Sequence, residues 1–600
     1  MMSMTKIRTK ILLLLISLCL VAISLIILTT PPAQGYELSI YDGYPSYFFL
    51  VIVLAFILSN YLAMESIYLV KSKKYFLMSV SVIITLEIIL FLIPCLRGYS
   101  FFERNDSLTH IGMIKDILIY GKIGQSNFYP LFHLIYNNMV LLTGIKFNNE
   151  PVLLLRSLIP FFLYMVYVCF VGLITRLKSD KDSQSHYASI LFALSIPSLI
   201  FTPAGTLFYL FPMFMYIYFV SRYRSQIAYS LLLVIVLFFI PFGHPELVVF
   251  MITLILFTEL LILFLNRHEF KNIEKIPEEF RANPIILSFI TFFAWYSSFT
   301  VFGKHVQRLE RWFLDNIGDS PSGILLDKLS RSQLGLTQLF QLFILSYGNI
   351  AIYLGSAILI SLKTFIDVLR GNKFRFNYLL YGLLIFAGVF LSIFSIFNNV
   401  IVSYVRVLKY PLFFSIILVG IYISDKYEIV SKEKKYFYTV FLVLIISFSI
   451  TTFSIYPSPL TYTYNQQVPH SEMKGAEWLL NYGNNSTGTL DAFITFGRFV
   501  HYNEGYDYSL ENDNLFNKQM YLYRFPPDHF NYTNSSRFGT SYDEDKYLLT
   551  SQLVKDYYIK LFPNVGRFTA HDFLKLQEDR SISKIYQNNE FDIYYVRSVS

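Results

Sequence analysis

Thirteen long apolar runs between residues 11 and 455 constrain this chain more than any other feature of it. A helix of roughly 20 apolar residues crosses the hydrocarbon core of a bilayer, and in lipid it must satisfy its own backbone N–H and C=O groups. The runs lie at about 11–30, 47–70, 75–95, 151–175, 187–202, 206–220, 227–242, 245–265, 284–302, 338–365, 377–397, 408–424 and 437–455. Several are short and need neighbouring helices to cover their ends. Composition agrees: 54% of the residues are hydrophobic and 15% charged, against about 25% charged in a soluble chain. These features exclude a soluble enzyme, a disordered chain and a nucleic-acid binder. The net charge of +8 sits mainly in short loops between the runs. The expected fold class is an all-α polytopic membrane protein with about 13 transmembrane helices, followed by a small C-terminal α/β domain.

The loops carry an alternating charge. Lys6, Arg8 and Lys10 precede the first run, and basic clusters follow the second, fourth, sixth, eighth, tenth and twelfth. Basic residues concentrate on the cytoplasmic side of a membrane. The alternation therefore predicts a multi-pass protein of the cytoplasmic membrane with its N-terminus inside and its C-terminal part outside. Residues 1–35 read as an uncleaved anchor, because the apolar stretch is long for a signal peptide. Cys19, Cys95 and Cys169 lie in or beside the apolar runs, so no disulfide holds the C-terminal part, and no Cys/His pattern suggests zinc.

Three regions follow from this reading. Residues 1–74 hold two N-terminal helices. Residues 75–455 form the main membrane region, with a large outer loop at 96–150. Residues 456–600 are polar, with 13 Lys and Arg against 17 Asp and Glu. Their pattern predicts a helix near 470–482, a strand near 488–496 and a hairpin near 584–597. Glycosylation triplets at Asn484, Asn485, Asn531 and Asn534 fit an external position.

The loop 96–150 is the richest segment. It contains two amphipathic stretches, about 107–120 and 130–143, which read as helices lying along the outer face. Glu103, Asp106 and His110 fall on one face of a helical path. Carboxylates at a lipid–water boundary are costly to desolvate, which suits them to work as a general base. On the plainer alternative, Asp106 caps the helix beginning at Ser107 and His110 is a surface residue. Tyr129 and His133 read as packing residues among the abundant aromatics.

Basic residues on the outer side need a reason. Lys304, Arg308 and Arg311 share one helical face beside His305, and Arg406 and Lys409 stand at the outer end of the twelfth run. Arginine offers phosphate a bidentate fork and lysine a point charge. Contact with anionic headgroups is the alternative. His244 and Glu246, in the turn Pro241-Phe-Gly-His-Pro-Glu246, are candidates to face the same outer cavity as Asp106. Asp106, His244 and Glu246 together carry the N and O donors of a divalent-cation site for Mg or Mn, although their spacing does not demand one. Glu87 and Glu259 are the chief charges within spans, and neither shows a partner in the sequence.

The order Asp106-Ser-Leu-Thr-His110, Gly121, Tyr129-Pro130-Leu-Phe-His133 and Gly144, set in the first large outer loop, resembles the GT-C superfamily of polytopic membrane glycosyltransferases. The likeness covers roughly residues 75–455. It implies a GT-C-like fold and a sugar donor carried on polyprenyl phosphate or pyrophosphate. It also implies a glycan, lipid or protein acceptor, with the reaction outside the cytoplasmic membrane. Asp106 resembles the family's catalytic acid, and Arg406 its donor-phosphate residue. One-step displacement implies inversion at the sugar. Two departures stand out. Two extra spans precede the loop, and no Trp-Trp-Asp-Tyr-Gly motif occurs, the nearest run being Glu477-Trp478-Leu-Leu-Asn-Tyr-Gly. The second departure argues against an asparagine-linking oligosaccharyltransferase. A polymerase or ligase of lipid-linked glycans, a lipid or glycan transporter and a non-catalytic surface-assembly protein are the rival readings.

Overall fold

The computed structural model describes residues 2–145, 149–178, 186–197, 202–224, 226–268, 273–274, 281–315, 334–397, 404–493, 496–511 and 525–599. The membrane region is built from α1 (Met2–Thr29), α2 (Tyr47–Tyr68), α3 (Lys73–Leu96), α4 (Asp106–Tyr120), α5 (Pro130–Thr143), α6 (Asn149–Lys178) and α7 (His186–Leu194). It continues with α8 (Pro203–Phe208), α9 (Phe211–Tyr223), α10 (Ile227–Phe239), α11 (Pro245–Arg267), α12 (Asn283–Tyr296) and α13 (Thr300–Asp315). Four further long helices complete it: α14 (Leu336–Leu369), α15 (Phe376–Phe397), α16 (Lys409–Asp425) and α17 (Lys434–Ser454).

Among the described residues, nine helices are long and apolar enough to cross a membrane, or ten if the bent pair α12–α13 counts as one span. The sequence leads to thirteen spans, and four of those runs differ in form from a spanning helix. Helix α7 has nine residues. Helix α10 and the turn after it reach only from Ile227 to Phe242. The run at 284–302 breaks after Tyr296 and turns by 106° into α13. Helix α16 has 17 residues, most of them buried, so neighbouring helices rather than lipid cover it. Apolar content alone does not distinguish a spanning helix from a short one held inside a bundle.

Two small sheets fix which loops share an end. The strand β1 (Phe101–Phe102), just after α3, pairs antiparallel with β4 (Gln467–Val468), just after α17. At the other end, β2 (Ile273–Glu274), beyond α11, pairs parallel with β3 (Phe374–Arg375), before α15. The loop 96–150 and the C-terminal part therefore lie at one end, and two of the basic loops lie together at the other.

The C-terminal part has a four-stranded mixed sheet in the order β5 (Gly488–Asp491), β6 (Lys546–Ser551), β8 (Phe591–Val596), β7 (Ile582–Asn588). The expected helix is α18 (His470–Tyr482), and β7 and β8 form the expected hairpin. Alternation along a strand sends successive side chains to opposite faces. Leu548, Tyr594 and Val596 pack into the domain's own core with Phe530, Phe538 and Phe573. Leu549, Phe591 and Ile593 join the large core that continues into the membrane helices. Both faces of the sheet are thus covered, and the domain is seated on the membrane region. Two short helices, α19 (Phe496–Glu504) and α20 (Tyr506–Glu511), form part of that seat.

Candidate active site

Asp106 begins α4, and Asn105 occupies the N-cap position without a side-chain capping bond. Asp106 is thus not the cap of a helix starting at Ser107. It lies in the first turn, where the helix dipole favours a negative charge. Glu103 does not continue the helical face of Asp106 and His110. It sits before the helix with φ +73°, a left-handed conformation uncommon for a side chain of its size. Its Oε2 accepts a hydrogen bond from Ser107 Oγ at 2.8 Å and pairs with Arg156 Nη2 at 2.9 Å. Arg156 is fully buried on α6 and lies over the Phe102 ring. Removing either partner would leave a buried charge uncompensated, which explains how the strained turn is held.

The partner of Asp106 comes from 392 residues away. Arg498 on α19 places Nη2 at 2.7 Å from Asp106 Oδ1, and its Nη1 donates to Thr109 Oγ1 at 2.6 Å. The Thr109 hydroxyl lies 2.8 Å from His501 Nδ1. Since that oxygen accepts from Arg498, its own proton is available to the imidazole. This fork depends on close approach of α19 to α4. A Cβ on Gly112 would sit 2.3 Å from the His501 backbone oxygen, and one on Gly505, where φ is +102°, would sit 2.1 Å from Asp116. Neither Arg498 nor His501 was singled out from sequence. An arginine in the polar C-terminal part breaks no charge rule and so gives no signal.

Around α4 the loop groups converge. His110 Nδ1 lies 3.2 Å from His133 Nε2, so one ring donates to the other. Both are buried. Burial pulls the His110 pKa down to about 4, with Asp106 opposing and Arg498 reinforcing. Burial and then the neighbouring His110 push His133 well below its usual range. Two neutral imidazoles result, and neither is a strong base at neutral pH. The Tyr129 ring is 5.8 Å from His110, 5.9 Å from His133 and 5.6 Å from His244. Tyr129 feels the charges of both Asp106 and Arg406. His133 and Tyr129 thus belong to the cluster rather than to bulk packing.

His244 is the N-cap of α11, and its Nδ1 accepts from the Glu246 backbone N at 3.2 Å. Its pKa is lowered to about 3, mainly by burial and then by Arg406, His110 and Lys409. Glu246 in turn interacts electrostatically with Lys409 and Arg406. Asp106, His110, His244, Glu246, Arg406 and Lys409, chosen from three separate loops, therefore share one neighbourhood at one end of the bundle. Arg406 is exposed.

Lys304 is exposed on α13, and His305 Nδ1 bonds the Tyr296 hydroxyl at 2.8 Å. The side chains of Arg308 and Arg311 lie outside the described residues. The α12–α13 bend is tied to the cluster, because Trp295 Nε1 donates to the Phe128 carbonyl at 2.9 Å, one residue from Tyr129.

A cavity of about 530 Å³ opens beside Asp106. Glu103, Asn105 and Asp106 line it together with Ser346, Ser454 and Thr461. Among the described residues, no three His, Cys, Asp or Glu side chains are grouped to hold a metal ion. The expected set of Asp106, His244 and Glu246 does not fit a cation. Asp106 is turned to Arg498, and the His244 Nδ1 is used as a cap.

The two charges within spans do have partners. Glu259 Oε1 meets Arg222 Nε at 2.9 Å and the Tyr218 hydroxyl at 2.8 Å, while its Oε2 accepts from the Arg281 backbone N at 2.9 Å. Glu87 accepts from the Tyr164 hydroxyl at 3.4 Å. Arg222 reads in the sequence only as a basic loop residue.

No family model matches the chain, and no curated protein matches it. Among solved structures it is similar to the Archaeoglobus fulgidus oligosaccharyltransferase in complex with Zn and sulfate. The identity is 9% and the TM-score 0.46, covering 86% of this chain and 73% of that one. A second structure of that enzyme, tethered to an acceptor peptide containing an NVT sequon, gives 9% identity and a TM-score of 0.42, covering 85% and 70%.

Proposed function

We propose that this chain is a membrane glycosyltransferase that moves a sugar from a polyprenyl-phosphate-linked donor to an acceptor hydroxyl. The reaction takes place at the end of the bundle that carries the loop 96–150 and the C-terminal domain, on the outer face of the cytoplasmic membrane. The observation that carries the reading is that Tyr129, whose ring lies among His110, His133 and His244, feels both a carboxylate, Asp106, and an arginine, Arg406. A base and an anion-binding group within reach of one aromatic residue suit displacement of a phosphate by a hydroxyl.

In this reading Arg498 occupies Asp106 Oδ1 and leaves Oδ2 to take the proton from the acceptor hydroxyl. The hydroxyl oxygen bonds to the anomeric carbon as the bond from that carbon to the phosphate oxygen breaks. The departing lipid phosphate rests against Arg406, with Lys409 behind it, and Lys304, Arg308 and Arg311 supply charge near the lipid boundary. A single displacement inverts the sugar configuration. His110, neutral and bonded to His133, positions α4 against α5. Glu103, held by Arg156, shapes the wall of the cavity.

The test is transfer of a labelled sugar from a polyprenyl-phosphate donor by the purified chain. Product formation that falls in Arg406→Ala supports the reading, and no transfer from any lipid-phosphate donor opposes it. Orientation has its own test. A reporter fused after Tyr456 is expected outside and one near Lys434 inside, and an internal C-terminal reporter would reverse the assignment.

A further inference from the structure

The cavity beside Asp106 is built for an uncharged, hydroxyl-rich ligand, and we infer that it holds the acceptor as a neutral carbohydrate. The inference rests on the proposed transfer reaction and names its acceptor class. The volume of about 530 Å³ lies within the roughly 300–1,000 Å³ of small-molecule sites. Among the described residues, no lysine or arginine lines it. The two carboxylates on its wall are each matched by an arginine, Glu103 by Arg156 and Asp106 by Arg498. A phosphorylated or acidic ligand therefore meets no free cation, and a cationic one meets no unmatched anion.

The remaining polar wall is short and neutral. Asn105 makes no capping bond, and the hydroxyls of Ser346 on α14 and Ser454 at the end of α17 face the same space. Thr461 Oγ1 donates to the Ser458 carbonyl at 3.1 Å, accepts from the Ser458 backbone N–H at 3.3 Å and lies 2.9 Å from the Thr463 hydroxyl, so it adds a neutral, already engaged hydroxyl to the wall. These polar groups come from four segments and line one volume. A ligand with many hydroxyls, each both donor and acceptor, satisfies such a wall. A peptide backbone, with alternating fixed donors and acceptors, suits it less well. A sugar hydroxyl held there also lies beside Asp106, the base of the proposed reaction.

The experiment is saturation-transfer NMR on the full chain in lipid nanodiscs free of sugar-headed detergent. The probes are a neutral hexose trisaccharide, a hexuronic acid trisaccharide and an Asn-x-Thr tripeptide. The neutral trisaccharide should bind, and should lose at least about tenfold in affinity in Ser346→Trp. Ser346 is exposed, so the bulky replacement fills the cavity without disturbing the core, and unchanged thermal unfolding checks this. Binding only of the acidic sugar or the peptide overturns the inference. So does no binding of any probe, or neutral binding indifferent to Ser346→Trp. No donor is present in this measurement, so a failure of sugar transfer with neutral-sugar binding intact would remove the proposed reaction and leave the cavity assignment standing.

Discussion

Two carboxylate–arginine pairs stand in this molecule with the same chemistry and opposite surroundings. Glu259 and Arg222 lie at the end of the basic loops, both buried to within a few per cent, and both carboxylate oxygens are engaged by Arg222, Tyr218 and the Arg281 backbone. Asp106 and Arg498 lie at the other end, where the aspartate side chain is 56% exposed and opens on a cavity. The first pair is closed and complete. The second leaves one oxygen facing space that a ligand can fill. Pairing alone therefore does not mark a site; a paired charge with unused capacity at a cavity does.

The comparison is broken most forcefully at the buried pair. Glu259→Ala takes the carboxylate away from the buried Arg222 guanidinium, which costs about 3–5 kcal/mol and should appear as a large loss of thermal stability. Asp106→Ala should leave the melting temperature nearly unchanged, since exposed pairs contribute about 0–1 kcal/mol. Equal destabilisation by the two variants would erase the distinction. Arg406→Ala should weaken binding of a polyprenyl-phosphate sugar by about ten- to a hundredfold, because charge-assisted contacts contribute about 1.5–3 kcal/mol. Arg406→Lys should restore little of it, as lysine lacks the fork. Unchanged donor affinity in titration calorimetry would remove Arg406 from the site.

A smaller effect is expected from Arg498→Lys. It keeps the charge beside Asp106 but loses the second bond to Thr109, so turnover should fall about tenfold, in line with loss of one charge-assisted hydrogen bond, with little change in acceptor KM. A change confined to KM would assign Arg498 to binding instead. Acid should have the most gradual effect. The folded state holds His110 at about 4 and His244 at about 3, both below the ordinary 6.5, chiefly through burial. An unfolded chain takes up these protons first, so stability should decline as pH falls from about 6.5 through 4. Thermal unfolding at pH 7 and pH 5 measures it, and greater stability at pH 5 would show that these imidazoles are not buried as neutral groups.

Much of the frame was legible in the sequence because it rests on local, repeated patterns. Apolar runs mark the helices, and the amphipathic stretches with glycine at 121 and 144 give α4 and α5 with their left-handed caps. The C-terminal hairpin shows in its alternation. What escaped depends on distance along the chain. Arg498 meets Asp106 only because α19 packs on Gly112, and nothing near residue 106 announces it. Glu103 fits a helical spacing on paper, yet Arg156 draws it into a left-handed turn before the helix. Arg222 looked like an inner-loop charge, while its folded neighbour is Glu259. Helix α16 is short and covered by protein, and hydropathy does not record which neighbour covers it.

The central claim is that the open member of the two pairs carries the chemistry. Asp106→Asn tests it most directly, since asparagine keeps the size of the side chain and removes the base. Sugar transfer from a polyprenyl-phosphate donor should be measured on the purified variant, with folding and donor binding confirmed on the same sample. Turnover should fall by about 10²–10⁴, the usual contribution of general base catalysis, while melting temperature and donor affinity stay near those of the unmodified chain. Full turnover in Asp106→Asn would contradict the account.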